Sequence, residues 1–203
     1  YMRESSSVNA YASLTASSPI WSTQVSNANG VPMVSKGDDT IYVGSYNGPF
    51  RAIDRYGNIK WSFTTDTCNS FTSYALSVDN VIFANGCQTL HAINPDGTLK
   101  WKNDHNYGSA AFKLSNDGNL FLKSNTSRLQ QLSQVDGSLL WEKSVRTSHR
   151  IYSNNVLYTY YQNEIRAYDA VDGNLIWTYY SGDSNYFENS LFINQDNLIL
   201  ATT

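Results

Sequence analysis

Two cysteines, three histidines and 17 carboxylates are the side chains of this 203-residue sequence best suited to chemistry. Cys68 and Cys87 lie outside any Cys-x-x-Cys spacing, which argues against a metal or redox motif. They read as a disulfide or, on the blander view, as two buried thiols. His91, His105 and His149 are scattered. A metal site or a Ser-His-Asp triad needs convergence that their spacing does not show. A third set is more coherent: Tyr46, Asn47, Asp104, Tyr107, Tyr161, Asp183, Asn185 and Tyr186 combine aromatic platforms with short hydrogen-bonding groups. That mixture suits recognition of a carbohydrate or a protein, although tyrosines also cover strand surfaces as ordinary residues. The sequon Asn125-Thr126-Ser127 offers a glycan acceptor in a eukaryotic secretory context.

What positions these residues is a strand repeat. Aromatic residues make up 14% of the chain and charged ones only 15%, a balance that favours β-structure. No stretch shows 3.6-residue apolar periodicity. All five tryptophans fall in one series, Trp21, Trp61, Trp101, Trp141 and Trp177, spaced by 40, 40, 40 and 36 residues. A period near 40 in a strand-rich chain marks a β-propeller, one four-stranded blade per period. The clearest part of each unit is a hairpin ending on Trp: Arg51-Ala-Ile-Asp-Arg-Tyr-Gly-Asn-Ile-Lys-Trp61, His91-Ala-Ile-Asn-Pro-Asp-Gly-Thr-Leu-Lys-Trp101, Gln131-Leu-Ser-Gln-Val-Asp-Gly-Ser-Leu-Leu-Trp141 and Ala167-Tyr-Asp-Ala-Val-Asp-Gly-Asn-Leu-Ile-Trp177. Gly57, Gly97, Gly137 and Gly173 each stand four residues before their Trp, where a turn that needs positive φ or no Cβ selects glycine. A second hairpin precedes each of these, with turns at Lys36–Asp39, Asp79-Asn80, Ser115–Asn119 and Asn154-Asn155.

The ends complete the pattern. After Trp177 two strands remain, 190–194 and 197–203, which read as A and B of a further blade. Before the first full blade stand Ala10–Thr15 and Pro19–Val25, which read as C and D, with Ala12 nine residues before Trp21 as Ala52 is before Trp61. The expectation is a single all-β domain over 1–203: a five-bladed β-propeller of four-stranded antiparallel blades. The blades fall near 28–65, 70–105, 109–145 and 148–180, and the last, 188–203 with 8–25, is closed by N- and C-terminal strands, which removes exposed edges. The alternative is a piece of a six- to eight-bladed ring.

The Ala–Gly–Trp hairpin, as in Ala52-Ile-Asp54-Arg-Tyr-Gly57-Asn-Ile-Lys-Trp61, resembles the repeat of pyrroloquinoline-quinone-type (PQQ-like) propellers, in their non-enzymatic branch. The resemblance spans the whole chain, although the N-terminal copy, Ala12 to Trp21, lacks the glycine. It implies that each D-strand Trp docks on the neighbouring blade. It also implies that ligands sit on the face of the D-to-A and B-to-C loops, where Cys68, Cys87 and the tyrosine–asparagine set would lie. The quinone enzymes of the family resemble eight-bladed rings that hold their cofactor beside adjacent cysteines. Here the two cysteines are 19 positions apart, so no cofactor is implied.

The net charge of −3 and the absence of a basic run argue against nucleic acid as a partner, and no apolar run is long enough to span a membrane. Most acids fall in turns of the opposite face. On the ligand face only Glu4, Asp66, Asp104, Glu164, Asp183 and Glu188 remain, poor material for the carboxylate pair of a glycosidase. The sequence therefore points to a non-catalytic binding or assembly module with a protein partner, extracellular, periplasmic or surface-associated. A carbohydrate-binding lectin is the alternative and a glycosidase a weaker one. The chain begins at Tyr1 rather than Met, as a processed or trimmed chain would.

Overall fold

A computed structural model describes residues 7–65, 70–104, 112–115, 117–123, 128–147, 149–180, 191–194 and 197–200. Among them the regular elements are β-strands. They form two compact units, Tyr1–Ala110 and Ala111–Thr203.

The first unit opens with a two-stranded hairpin, β1 (Ser7–Ala10) and β2 (Trp21–Gln24). Two antiparallel meanders of four strands follow. One is β3 (Ala28–Val34), β4 (Ile41–Ser45), β5 (Phe50–Ile53) and β6 (Ile59–Phe63). The other is β7 (Phe71–Leu76), β8 (Ile82–Gly86), β9 (Thr89–Ile93) and β10 (Leu99–Asn103). The second unit holds the meander β11 (Lys113–Leu114), β12 (Leu120–Lys123), β13 (Arg128–Leu132) and β14 (Leu139–Ser144). It also holds β15 (His149–Ser153), β16 (Val156–Tyr161), β17 (Glu164–Asp169) and β18 (Leu175–Tyr180), and then the hairpin β19 (Leu191–Asn194) and β20 (Asn197–Leu200). The four-stranded meanders have the strand order expected of A-to-D blades.

One cross-strand triplet recurs in all four meanders. Tyr42 pairs with Ala52 and Ala52 with Trp61; Phe83, Ala92 and Trp101 align in the same way. The copies in the second unit are Phe121–Gln131–Trp141 and Tyr158–Ala167–Trp177. The outer two rings of each triplet approach to 5.8, 5.8, 5.9 and 5.9 Å between centroids. A small middle residue makes room for this, because the rings of strands B and D converge above strand C; such tilted ring pairs add ~0.5–1.5 kcal/mol beyond area burial. In β13 the middle residue is Gln131 instead of Ala. Each D strand also carries a β-bulge directly before its Trp, at Lys60, Lys100, Leu140 and Ile176. A bulge re-aims the next side chain and tightens local twist.

The Trp then seats on the following C-to-D turn. A Cβ placed on Gly57 would lie 2.9 Å from the Trp21 ring, one on Gly97 2.7 Å from Trp61, and one on Gly173 2.7 Å from Trp141. The indole N–H donates to a carbonyl of the same turn: Trp21 to Arg55 at 2.9 Å, Trp61 to Pro95 at 2.9 Å and Trp141 to Ala170 at 3.2 Å. The acceptor is always the residue after the turn's first. The turn at Asp169–Asn174 is one residue longer than that at Asp54–Asn58, closing Gly173 N–H on Asp169 O where the other closes Gly57 N–H on Asp54 O. Buried clusters fill the space beside each indole: Tyr42, Phe50, Ala52, Phe71, Ile82, Ala84 and Ile93 around Trp61, and Val8, Val25, Val43 and Ile53 around Trp21. In the second unit Phe121, Leu129, Leu157 and Tyr168 pack with Trp141.

The N-terminal hairpin departs from the expected strand Ala10–Thr15. Strand β1 ends at Ala10, which pairs with Trp21. Residues 11–20 make a loop in which Ile20 N–H closes on Ala10 O at 2.7 Å and Ala16 N–H on Ser13 O at 3.2 Å. The Ser-, Thr- and Pro-rich run Thr15–Pro19 favours such local turns over a ladder, so Ala10 rather than Ala12 faces the indole. β19–β20 stands as a second two-stranded sheet.

Gly97 carries two constraints at once, a φ of +89° and the Trp61 ring against its hydrogen. Gly97→Ala is expected to destabilise the chain by about 2–4 kcal/mol, adding left-handed strain to steric overlap. Urea denaturation measures it; a loss below about 1 kcal/mol would mean that the indole yields freely.

Candidate functional site

The first unit holds a cavity of about 530 Å³ at one end of the β7–β10 sheet. Phe63 at the end of β6, with Thr64 and Thr65 beyond it, forms one wall. The two-residue turn Cys87-Gln88 between β8 and β9 forms the second. Thr89 and His91 on β9, Leu99 and Lys102 on β10, and Asp104 just past its end complete it.

Each wall has a local cause. A two-residue hairpin of type I′ requires both central residues in the left-handed region, and Cys87 and Gln88 take φ of +57° and +69°. Asn154 and Asn155 do the same at +48° and +60° in the β15–β16 turn, with residues that accept that conformation readily. Cys87 and Gln88 do not, so their turn carries strain at the cavity wall. At the rim, Thr89 Oγ1 donates to Asp104 Oδ1 at 3.0 Å, and Lys102 Nζ stands 3.7 Å from Asp104 Oδ2. Both charges are more than half exposed, so the pair neutralises the rim and contributes little stability.

His91 is the interior feature. Only 4% of it is exposed, its ring packs edge-on against Phe63 at 5.7 Å and Phe71 at 6.0 Å, and its Nδ1, itself out of reach of solvent, has no side-chain hydrogen bond recorded among the described residues. Burial holds the imidazole below its ordinary pKa of 6.5, opposed by the backbones of Ala84 and Thr89 and the charge of Asp104 and assisted by the charge of Lys102. At neutral pH the ring is therefore uncharged.

The site was only partly visible in the sequence. Of the anticipated recognition residues, the cavity takes in Asp104 and adjoins the turn of Cys87. Tyr46 is 56% exposed at the β4–β5 turn beside Asn47, whose φ is +57°; neither lines the cavity. Tyr161 ends β16 in the second unit. Tyr107, Asp183, Asn185, Tyr186, Cys68 and Asn125 lie outside the described residues. His91 itself went unanticipated as a site residue. The signal available was positional: it is the residue directly before the repeat's Ala. The same place in the other blades holds Arg51, Gln130 and Arg166. Arg166 is satisfied by Glu164 at 2.7 and 2.8 Å, whereas Arg51 Nε and Nη1 and Gln130 Oε1 are buried without partners.

Carboxylates in the turns are acceptors, not acids. Asp54 and Asp96 are held below the usual carboxylate range, first by the side chains of Asn58 and Thr98, and Asp136 first by the backbone of Ser138. Asp38 is lowered more strongly by Lys60 at 2.9 Å, Ser35 and Thr40. Among the described residues no three His, Cys, Asp or Glu side chains are grouped to hold a metal, and no helix is long and apolar enough to cross a membrane.

Four-stranded antiparallel blades, with a D-strand indole seated on the next glycine turn, define a PQQ-like β-propeller repeat protein. The chain belongs to the family of the outer membrane protein assembly factor BamB, whose family model matches residues 86–202. Among solved structures it is similar to BamB from Moraxella catarrhalis, with a TM-score of 0.65 and 16% identity over 85% of this chain and 55% of that one. It is similar also to the computationally designed Ika8 protein, with a TM-score of 0.68 and 13% identity over 87% of this chain and 56% of that one. The chain thus spans little more than half the length of either. No curated protein sequence matches it.

Acidification should expose the His91 term. Its pKa is lower folded than unfolded, so its contribution to stability is complete above about pH 6.5 and is lost as pH falls through the lowered folded value. Urea midpoints between pH 7.5 and 5 should fall less steeply in His91→Phe than in the parent chain; equal slopes would remove His91 from the account.

Proposed function

We propose that this chain is a non-catalytic protein-interaction module of an assembly, built from PQQ-like propeller blades. The observation that carries the reading is the way its repeated residues are used. The indoles, the ring-pairing residues and the turn glycines are consumed in joining strands and blades, which leaves recognition to the unrepeated loops Ser45–Pro49 and Gly86–Thr89. Membership in an assembly-factor family supports the same class.

In this proposal the domain is a five-bladed ring in a periplasmic, extracellular or surface setting, with β19–β20 and β1–β2 as the halves of one blade and a Cys68–Cys87 bridge on the ligand face. Such a bridge contributes about 3 kcal/mol by chain entropy. The native chain should be lighter by two hydrogens than the reduced chain, and reduction should lower its urea midpoint; two free thiols would overturn the bridge. Hydrogen exchange tests the ring: deleting residues 1–25 should speed exchange of the β19–β20 amides, and unchanged exchange would remove the shared blade. Affinity capture followed by cross-linking mass spectrometry should place a protein partner on loops Ser45–Pro49 and Gly86–Thr89. Saturable glycan-array binding with no captured protein would replace the scaffold by a lectin.

A further inference from the structure

The four meanders end on the same kind of strand, yet one of those strands differs in chemistry. Among the described residues β6, β10, β14 and β18 each pair with a single neighbour, so each is the D edge of its sheet. An open edge offers an unpaired row of backbone N–H and C=O groups, and charged side chains, lysine above all, guard such rows against pairing with another chain. β6 carries Lys60, β10 carries Lys100 and Lys102, and β14 carries Glu142 and Lys143. β18, Leu-Ile-Trp-Thr-Tyr-Tyr, carries no charge. The N-terminal edge β2 has none either, but it is four residues long and its exposed positions are Ser22 and Gln24. On β18 the exposed side chains are Leu175, Ile176, Trp177, Tyr179 and Tyr180, between 38% and 62% accessible, where Trp101 and Trp141 are 9% accessible.

We infer that β18 is a dimer edge, pairing antiparallel with β18 of a second copy of this chain across a two-fold axis. The inference stands apart from the protein-interaction reading, since it concerns a different surface and takes the chain itself as partner. The edge is regular where pairing needs it: Trp177–Tyr180 align one for one with Ala167–Glu164 of β17, and the bulge at Ile176 lies before them. A strand held in register by β17 on one side is preorganised for a ladder on the other. The charge pattern selects a copy. Two β10 edges would set Lys100 and Lys102 against their own kind, and like charges across a ladder are destabilising. Two β18 edges bring together only aromatic, aliphatic and threonine side chains, the pairs that stabilise sheets. The size also fits. Five side chains exposed to this degree present on the order of 500 Å² per copy, so two copies share about 1,000 Å², the scale of a specific interface. Identical antiparallel strands make an isologous contact that closes after two copies, so the bare edge is covered rather than left to propagate.

Sedimentation velocity on the full chain, from about 1 to about 300 μM, should show a reversible monomer–dimer equilibrium. Hydrogen exchange over the same range should slow at the β18 amides as the dimer forms and stay constant at those of β14. Ile176→Lys and Tyr179→Lys give β18 the residues that β10 and β14 hold at the equivalent places, Lys100 and Lys143, so the blade should tolerate them. Each should raise the dimer Kd at least about tenfold. Near-UV circular dichroism checks the fold of each variant, and where one fails to fold the exchange measurement on the parent chain decides. A parent chain that stays monomeric over the whole range, a dimer that survives both lysines, or association running on to larger species would overturn the inference. A monomeric chain that captures a different protein on Ser45–Pro49 keeps the scaffold reading and loses this one.

Discussion

Everything in the described structure depends on the indole of strand D reaching past its own blade. Within a blade, hydrogen-bonded ladders hold the strands together, but a four-stranded sheet alone leaves both faces wet. The Trp–glycine contact links one sheet to the next by burying a large ring and satisfying its N–H in a single step. The Ala or Gln on strand C, the ring on strand B and the bulge before the Trp all follow from placing that indole. The bulge turns it, the small residue clears space for it and the aromatic neighbour braces it.

This constraint explains which parts of the fold were legible. The tryptophan period, the turn glycines and the Ala opposite Trp61, Trp101 and Trp177 were plain in the sequence because the contact admits few alternatives. A position that must lie within 3 Å of an indole at positive φ takes glycine, and Gly57, Gly97 and Gly173 do. The B-strand rings Tyr42, Phe83, Phe121 and Tyr158 were equally regular in space but hidden among 23 tyrosines and phenylalanines. The bulges at Lys60, Lys100, Leu140 and Ile176 were invisible, since any residue can fill a bulge. The strand limits at Ala10 failed for a related reason: with no turn glycine to fix the register, Thr15–Pro19 formed its own local bonds.

The candidate site was less legible because it is built from exceptions. His91 occupies a repeat position that Arg166 fills with a bidentate Glu164. No single-residue signal in the sequence marks this histidine; its burial between Phe63 and Phe71 beside the cavity does. Cys87-Gln88 is similar. The sequence offered a cysteine, and the structure shows two consecutive residues in a conformation they adopt reluctantly, at a wall of the same cavity. Local strain of this kind concentrates where surrounding structure enforces it, often at binding surfaces.

Trp21, Trp61 and Trp141 each look forward along the chain, to a backbone carbonyl beside a glycine rather than to any particular side chain. Trp177 is 38% exposed and its ring rests on Tyr158. Such coupling is nearest-neighbour and one-way, like a row of hooks in which every hook needs only the next eye. A gene encoding it can lengthen or shorten by whole units without redesigning the remainder, because a new repeat arrives with its own eye and its own hook. The indole seat is therefore both the mechanical joint of the array and the reason the array can be copied.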